Sequence, residues 1–259
     1  MTGNVKPGRT RKFYPYVTVE ELRRDPALLD ELVAPGAGSR FTAGSTEPAI
    51  AWRHLPKDGR VLECGPIFGM FTKLLQDEGY RDVHALDFVD LLRFPDRRRL
   101  TFHTLDLNGE PFPYPDGYFG GATAWGIVEH LENPFHFLRE VHRVLKPESG
   151  ILIMAVPNVG HILSRLLFLV DGVFPRWPKE NNHIFILPSG IFEKWVLRYF
   201  DLLDTGYVKR PIRYYIRPGR RTGFLLRALN RMAKWFPANA WFGDYVIYVL
   251  RWKPFQPYA

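Results

Sequence analysis

Three carboxylates and a pair of glycines recur through the first half of the chain in an order that could hold a nucleoside. In Arg60-Val-Leu-Glu-Cys-Gly-Pro-Ile-Phe-Gly69, a short apolar strand runs into Glu63, then into a turn bounded by Gly65 and Gly69, and then into a helical pattern. Glycines let a ligand approach the backbone closely, and the first turn of a helix offers N–H groups with no intrahelical partner. Asp87 closes the next strand-like run, Asp82 to Asp87. A carboxylate there can accept hydrogen bonds from both vicinal hydroxyls of a ribose. Asp106, in Thr104-Leu-Asp-Leu107, ends a third run. It could accept from an exocyclic adenine amine, with Leu107 against one face of the ring and Phe88 against the other. Glu63 either orients the turn or meets an ammonium group. Each carboxylate taken alone reads equally well as a strand-end cap, so the argument rests on their order.

Such groups need a scaffold that brings strand ends together. Strands are expected at 60–64, 82–87, 100–104, 118–125 and 150–156, and helices at 69–78 and 134–145. The second helix is marked by Asn133 as its cap, Pro134 in its first turn, and Phe137, Leu138, Val141 and Leu145 along one face. Alternating strands and helices predict a doubly wound α/β fold whose parallel strands present their carboxyl ends to one crevice. Upstream, Thr18-Val-Glu-Glu21 has capping-box spacing, Asp25-Pro26 can start a further helix, Pro35 to Ser39 reads as a turn-rich joint, and a helix is expected over 47–54. Downstream come an apolar helix at 161–170, another at 189–200, a strand at 202–208, a basic amphipathic helix at 222–236 and a strand at 245–252. The simplest organisation is an N-terminal arm with short helices over 1–44. One domain follows over 45–259, with a helical insertion at 159–200.

Composition narrows the classes. Apolar residues make up 46% and charged residues 24%, which suits a globular chain of 259 residues with ample core. The single cysteine, Cys64, excludes an internal disulfide and any multi-cysteine zinc site, and inside the glycine turn it reads as packing. The opening residues are polar with scattered lysine and arginine, and no run reaches the roughly 20 apolar residues of a membrane span. A cytoplasmic location is therefore expected. The net charge of +8 favours an acidic partner. The excess is local, since eleven Lys and Arg between Lys209 and Lys253 face a single acid, Asp244.

Taken together, the motifs resemble the class I S-adenosylmethionine-dependent methyltransferases, of the broad family that includes ubiquinone-biosynthesis-type and polysaccharide-cluster enzymes. The resemblance is carried by Val61 to Gly69, Ala85-Leu-Asp87, Leu105-Asp106, Phe112 to Phe119, Val128-Glu-His-Leu131, Phe137 to Pro147 and Val156-Pro-Asn158, and it spans roughly residues 45–208. It implies a Rossmann-like sheet of seven strands with an antiparallel hairpin at its end. It also implies S-adenosyl-L-methionine as cofactor. Glu63, Gly65, Pro66 and Gly69 would lie around its methionine part, Asp87 at the ribose, Asp106, Leu107 and Phe88 at the adenine, and Ala124-Trp125 at the methyl end. His183 and His130 are the candidates to take a proton from the acceptor, whereas His136 and His161 read as structural. Two departures stand out. Ile67 replaces the family's usual middle glycine. Gly126 stands where metal-dependent relatives carry a Glu three residues before the Glu-His pair, so no metal is expected.

The implied activity is methyl transfer, most simply to an oxygen of a saccharide, a lipid-linked glycan or another small acceptor. The basic helix, with Leu225, Leu229, Met232 and Phe236 on one face, reads either as a surface helix packed on the sheet or as an interfacial one. In the second case, residues 222–242 would meet an anionic membrane from its inner face through Trp235, Phe236, Trp241 and Phe242. Two rivals remain: a catalytically silent scaffold with the same fold, for which Ile67 speaks, and a nucleic-acid methyltransferase. No RNA-binding module accompanies the basic residues, so a nucleic-acid partner is disfavoured.

Overall fold

A computed structural model describes residues 18–25, 41–42, 44–172, 174–177, 182–209, 231–232 and 235–257. The expected helix start at Asp25-Pro26, the joint at 35–39 and most of the helix at 222–236 lie outside these residues, apart from Asp25 and positions 231–232, 235 and 236. The N-terminal capping box forms around α1 (Val19–Arg24), with the Glu21 N–H donating to Thr18 Oγ1 and the Thr18 N–H donating back to Glu21 Oε2.

The sheet has seven strands: β1 (Arg60–Cys64), β2 (Asp82–Asp87), β3 (Leu100–Thr104), β4 (Gly121–Trp125), β5 (Ile151–Pro157), β6 (Phe200–Val208) and β7 (Tyr245–Trp252). Their order is β3-β2-β1-β4-β5-β7-β6. Neighbours from β3 to β5 are parallel, and β7 runs antiparallel to both β5 and β6. This is the Rossmann-like fold with an antiparallel hairpin at one edge that the motifs imply. The central strands are buried along almost their whole length, as parallel strands covered on both faces must be. The edge strand β3 has no fully buried residue, and β6 is interrupted by a register shift between Leu202 and Asp204.

Helices cover both faces. On one lie α2 (Thr46–His54) and α3 (Met70–Asp77), whose Ile50, Ala51, Phe71 and Leu75 pack on Val61, Val83 and Ile153. On the other lie α4 (Pro134–Val144) and α6 (Ser189–Trp195), which bury Phe137, Leu138, Val141, Phe192 and Trp195 on Leu62, Ala122 and Leu152. The Asn133 side chain accepts from the His136 N–H, and Pro134 fills the first turn of α4, as the sequence predicts. Between these helices, α5 (Ile162–Asp171) is capped by His161, whose Nδ1 accepts from the Leu163 N–H at 3.0 Å.

Two boundaries differ from expectation. The run expected as a strand from 118 enters the sheet only at Gly121, with Phe119 forming an isolated bridge to Leu145. The helix expected over 189–200 ends at Trp195, passes through a tighter turn at 196–198, and gives way to β6 at Phe200. Phe200 is fully buried, so it serves the sheet rather than the helix. Phe41, just ahead of the expected domain start, packs edge-on against Phe71 and near Trp125.

Candidate functional site

The paired registers place Cys64 beside Leu86 and Ala124, and Asp87 beside Thr104. The carboxyl ends of β1, β2 and β4 therefore open onto one edge. From β1 the chain turns sharply into α3. Gly65 and Gly69 take positive φ angles of 71° and 76°. A Cβ at Gly69 would meet Leu92 and Pro95 at 2.7 and 2.8 Å, and one at Gly65 would collide with the Ile127 side chain. Both positions thus require glycine for conformation and for space. Ile67 also lies in the left-handed region, at φ 53°. For a β-branched residue this conformation costs about 1–2 kcal/mol, so something must hold it there.

That something is Asp87. Its Oδ2 accepts from the Ile67 N–H at 3.1 Å and its Oδ1 from the Phe88 N–H at 2.8 Å. The Gly65 N–H donates to the Leu86 carbonyl at 2.8 Å, and the Leu105 N–H to the Asp87 carbonyl at 2.8 Å, so the ends of β1, β2 and β3 are tied together. Each carboxylate oxygen has a second lone pair, so the backbone donors leave Asp87 able to accept a ligand's hydroxyls. Burial pushes its carboxyl up to about 7, against the opposing effect of those two N–H groups. Glu63 is buried beneath the turn, where the Thr72 hydroxyl donates to its Oε2, and burial pushes it up to about 8. This placement favours the reading in which Glu63 orients the turn. Burial also raises the Cys64 thiol, in agreement with a packing role. Asp106 accepts from both the backbone N–H and the side-chain amide of Asn108, each at 2.9 Å, and remains partly accessible.

The other expected cofactor contacts are less uniform. Phe88 is half-buried at the end of β2, and Pro66 is buried in the turn, its carbonyl accepting the Gly69 N–H at 2.8 Å. Leu107 is buried in the core cluster of the α4 face. Trp125 points to the opposite core, stacked edge-on against Phe71 with ring centroids 5.0 Å apart. Its buried indole N–H has no acceptor among the described residues, which makes it a donor that a ligand could use.

A second cluster lies along the same edge, past β4. His130 and His183 are 53 positions apart in sequence, yet their rings meet edge-to-face at a centroid distance of 4.6 Å. The N–H groups of Ile184 and Phe185 both donate to the Glu129 carbonyl, at 2.8 and 3.1 Å, which lays the 182–188 segment across the turn at Val128–His130. Trp177 roofs His183 at 5.7 Å, and its indole donates to the Phe185 carbonyl at 3.0 Å. Arg176, beside it, is anchored to Asp244 at 3.1 Å. The structure therefore brings together the two histidines singled out from the sequence. Through Ile127, which covers Gly65, the same stretch reaches the glycine turn.

Sequence reasoning missed Thr72, Asn108, Ile127 and Trp177. Thr72 had a signal, being a hydroxyl on the buried face of α3 beside Phe71 and Leu75. Ile127 and Trp177 had none, since their contacts are set only by how loops from different strands cross.

A family model described as a methyltransferase domain matches residues 41–199, more than half of the chain. No curated protein matches it. Among solved structures it is similar to an S-adenosylmethionine-dependent methyltransferase from Mesorhizobium loti (15% identity, TM-score 0.52, covering 80% of this chain and 98% of that one). It is similar also to a putative methyltransferase from Bacillus halodurans (14%, TM-score 0.56, covering 82% and 100%). A third is the Burkholderia thailandensis 1,6-didemethyltoxoflavin-N1-methyltransferase, solved with 1,6-didemethyltoxoflavin and S-adenosylhomocysteine bound (17%, TM-score 0.53, covering 91% and 85%). At these identities the likeness is one of fold.

The two buried carboxyls give the fold a pH signature. Glu63 and Asp87 hold protons more tightly in the folded chain than in the unfolded one, from ordinary values of 4.5 and 3.8 up to about 8 and about 7. The native state thus carries extra protons between about pH 4 and about pH 8, and stability falls as pH rises through that window. Urea unfolding should show a decline of about 1 kcal/mol or more from pH 5 to pH 8.5. Glu63→Gln, which keeps an acceptor for Thr72, should show a clearly smaller decline. Equal declines in both proteins would refute the assignment.

Proposed function

Because the chain belongs to the methyltransferase-domain family, we propose that it transfers a methyl group from S-adenosyl-L-methionine to an oxygen of a saccharide, a lipid-linked glycan or a similar small acceptor. The observation that carries the cofactor assignment is the buried Asp87 carboxylate at the end of β2, fixed by two backbone donors with acceptor capacity to spare. On this reading Asp87 takes the ribose hydroxyls and Asp106 the adenine amine, with Phe88 and Leu107 beside the ring. Glu63 supports the turn of Gly65, Pro66 and Gly69 around the methionine end, and the Trp125 indole supplies a buried donor. When bound, the cofactor supplies a sulfonium-activated methyl group that needs little further activation. The chain's own work is then to align the acceptor and to accept its proton. On this reading His183 and His130, clustered beside Glu129, are the candidates for handling that proton, directly or through a group they hold.

Support for a lipid-linked acceptor comes from the surface around α5. Leu169 and Trp235 are 80% and 84% exposed, and Phe168, Phe236 and Trp241 are also exposed. The Arg165 guanidinium lies 4.6 Å over the Trp241 ring, and the Ile162 N–H donates to the Trp241 carbonyl, which ties α5 to that turn. Exposed aromatics beside arginines suit the headgroup layer of an anionic bilayer. Among the described residues, no helix is long and apolar enough to cross a membrane.

Two experiments test these readings. Calorimetry with S-adenosylhomocysteine should show micromolar binding that weakens by at least about 30-fold in Asp87→Ala, a loss of about 2 kcal/mol typical of a charge-assisted contact. Binding unchanged by the substitution, or no heat at millimolar ligand, would overturn the cofactor site and favour a silent scaffold. In flotation, the protein should be recovered with anionic vesicles and much less with neutral ones, and Trp235→Ala should reduce that recovery. Recovery near zero with both would remove the membrane-bound acceptor.

A further inference from the structure

Among the described residues, Glu129, His130 and His183 form the one group of three metal-ligating side chains whose donor atoms converge, all within 4.8 Å of one another. From that convergence we infer that the three hold a divalent cation of the zinc class. The inference deepens the methyl-transfer reading, on which it rests for its role.

Neither sequence neighbour makes a site alone. Glu129 and His130 are adjacent, and a carboxylate–imidazole pair binds a cation weakly. His183 completes a set of two imidazoles and one carboxylate, a combination that binds zinc and related ions while leaving coordination positions open. Bonds of about 2.0–2.2 Å require donor atoms about 3–3.5 Å apart, so rotations moving the donors by about 1 Å would close the set. The frame around it is firm. The backbone N–H groups after His183 clamp the Glu129 carbonyl, Trp177 covers His183, and Gly126 leaves one side of the carboxylate uncrowded, its Cβ position being 3.3 Å from Glu129 Oε1. The Glu129 residue is 2% exposed.

A cation with open positions here would take the acceptor hydroxyl as a ligand. Its charge lowers the pKa of that hydroxyl, so the O–H bond breaks with the electron pair kept on oxygen and the proton passing to solvent. The histidines then act as ligands, and the proton need not be received by either of them.

The test is metal binding to the full chain with no cofactor present, so failure of the adenosyl site and failure of the cation site register in separate experiments. Equilibrium dialysis against zinc should give one ion per chain. Cobalt should give a visible ligand-field spectrum displaced by zinc. His183→Ala, in an extended segment, should weaken zinc binding at least about 100-fold while circular dichroism stays that of the native fold. Glu129→Gln should do the same, and His103→Ala, on the edge strand, should leave binding unchanged. No stoichiometric zinc in the wild type, or equal zinc binding in wild type and His183→Ala, would overturn the site.

Discussion

The structure turns on a single buried carboxylate. Asp87 sits at the end of β2, out of water, and accepts the Ile67 N–H from the turn that follows β1. That hydrogen bond decides where the turn runs. It stabilises a left-handed backbone at a β-branched residue, and once the carboxyl is ionised a bond of this kind is worth about 1.5–3 kcal/mol, enough to offset about 1–2 kcal/mol of strain. In return the turn carries Gly65 and Gly69 to the carboxyl edge and starts α3, whose Thr72 satisfies the buried Glu63. The carboxyl edge is therefore a set of mutually dependent polar groups in a low-dielectric setting, and the surrounding sheet supplies their rigidity.

This arrangement carries a cost in stability. Two carboxyls are held where their charged forms are disfavoured, and the chain tolerates them because each face of the sheet is backed by its own hydrophobic core, under α2 and α3 on one side and under α4 and α6 on the other. Strain and buried charge collected at one edge are a common mark of a site kept for binding rather than for folding. The cluster at Glu129, His130 and His183 follows the same pattern, a buried acid braced by a crossing segment.

The central sheet was legible because its strands are nearly continuous apolar runs ended by acids or glycines. Strands β1, β2, β3 and β7 begin and end where the pattern places them. The capping residues Thr18 and Asn133 announced their helices for the same reason, since local hydrogen bonds depend on local spacing. Legibility failed where the answer lies in contacts between distant segments. Phe200 closes a sheet rather than a helix because β7 pairs with it through Trp252, and Phe119 stays outside β4 because Leu145 takes its bridge. In the site, Asp87 was readable from position alone, and Ile67 was readable as a misfit. The meeting of His130 with His183 was not, because no spacing rule connects residues on separate loops. A methyltransferase-domain chain is thus evident in its strand ends, while the cluster of Glu129, His130 and His183 is assembled by loop crossings.

The central claim is that the carboxyl edge holds an adenosyl group by its sugar diol. A crystal structure of the protein with S-adenosylhomocysteine tests it most directly. The account predicts both ribose hydroxyls within hydrogen-bonding distance of the Asp87 carboxylate, the adenine edge at Asp106, and the Ile67 N–H still on Asp87. An adenosyl group seated elsewhere, or a diol turned to solvent with Asp87 bonded only to its backbone donors, would contradict it.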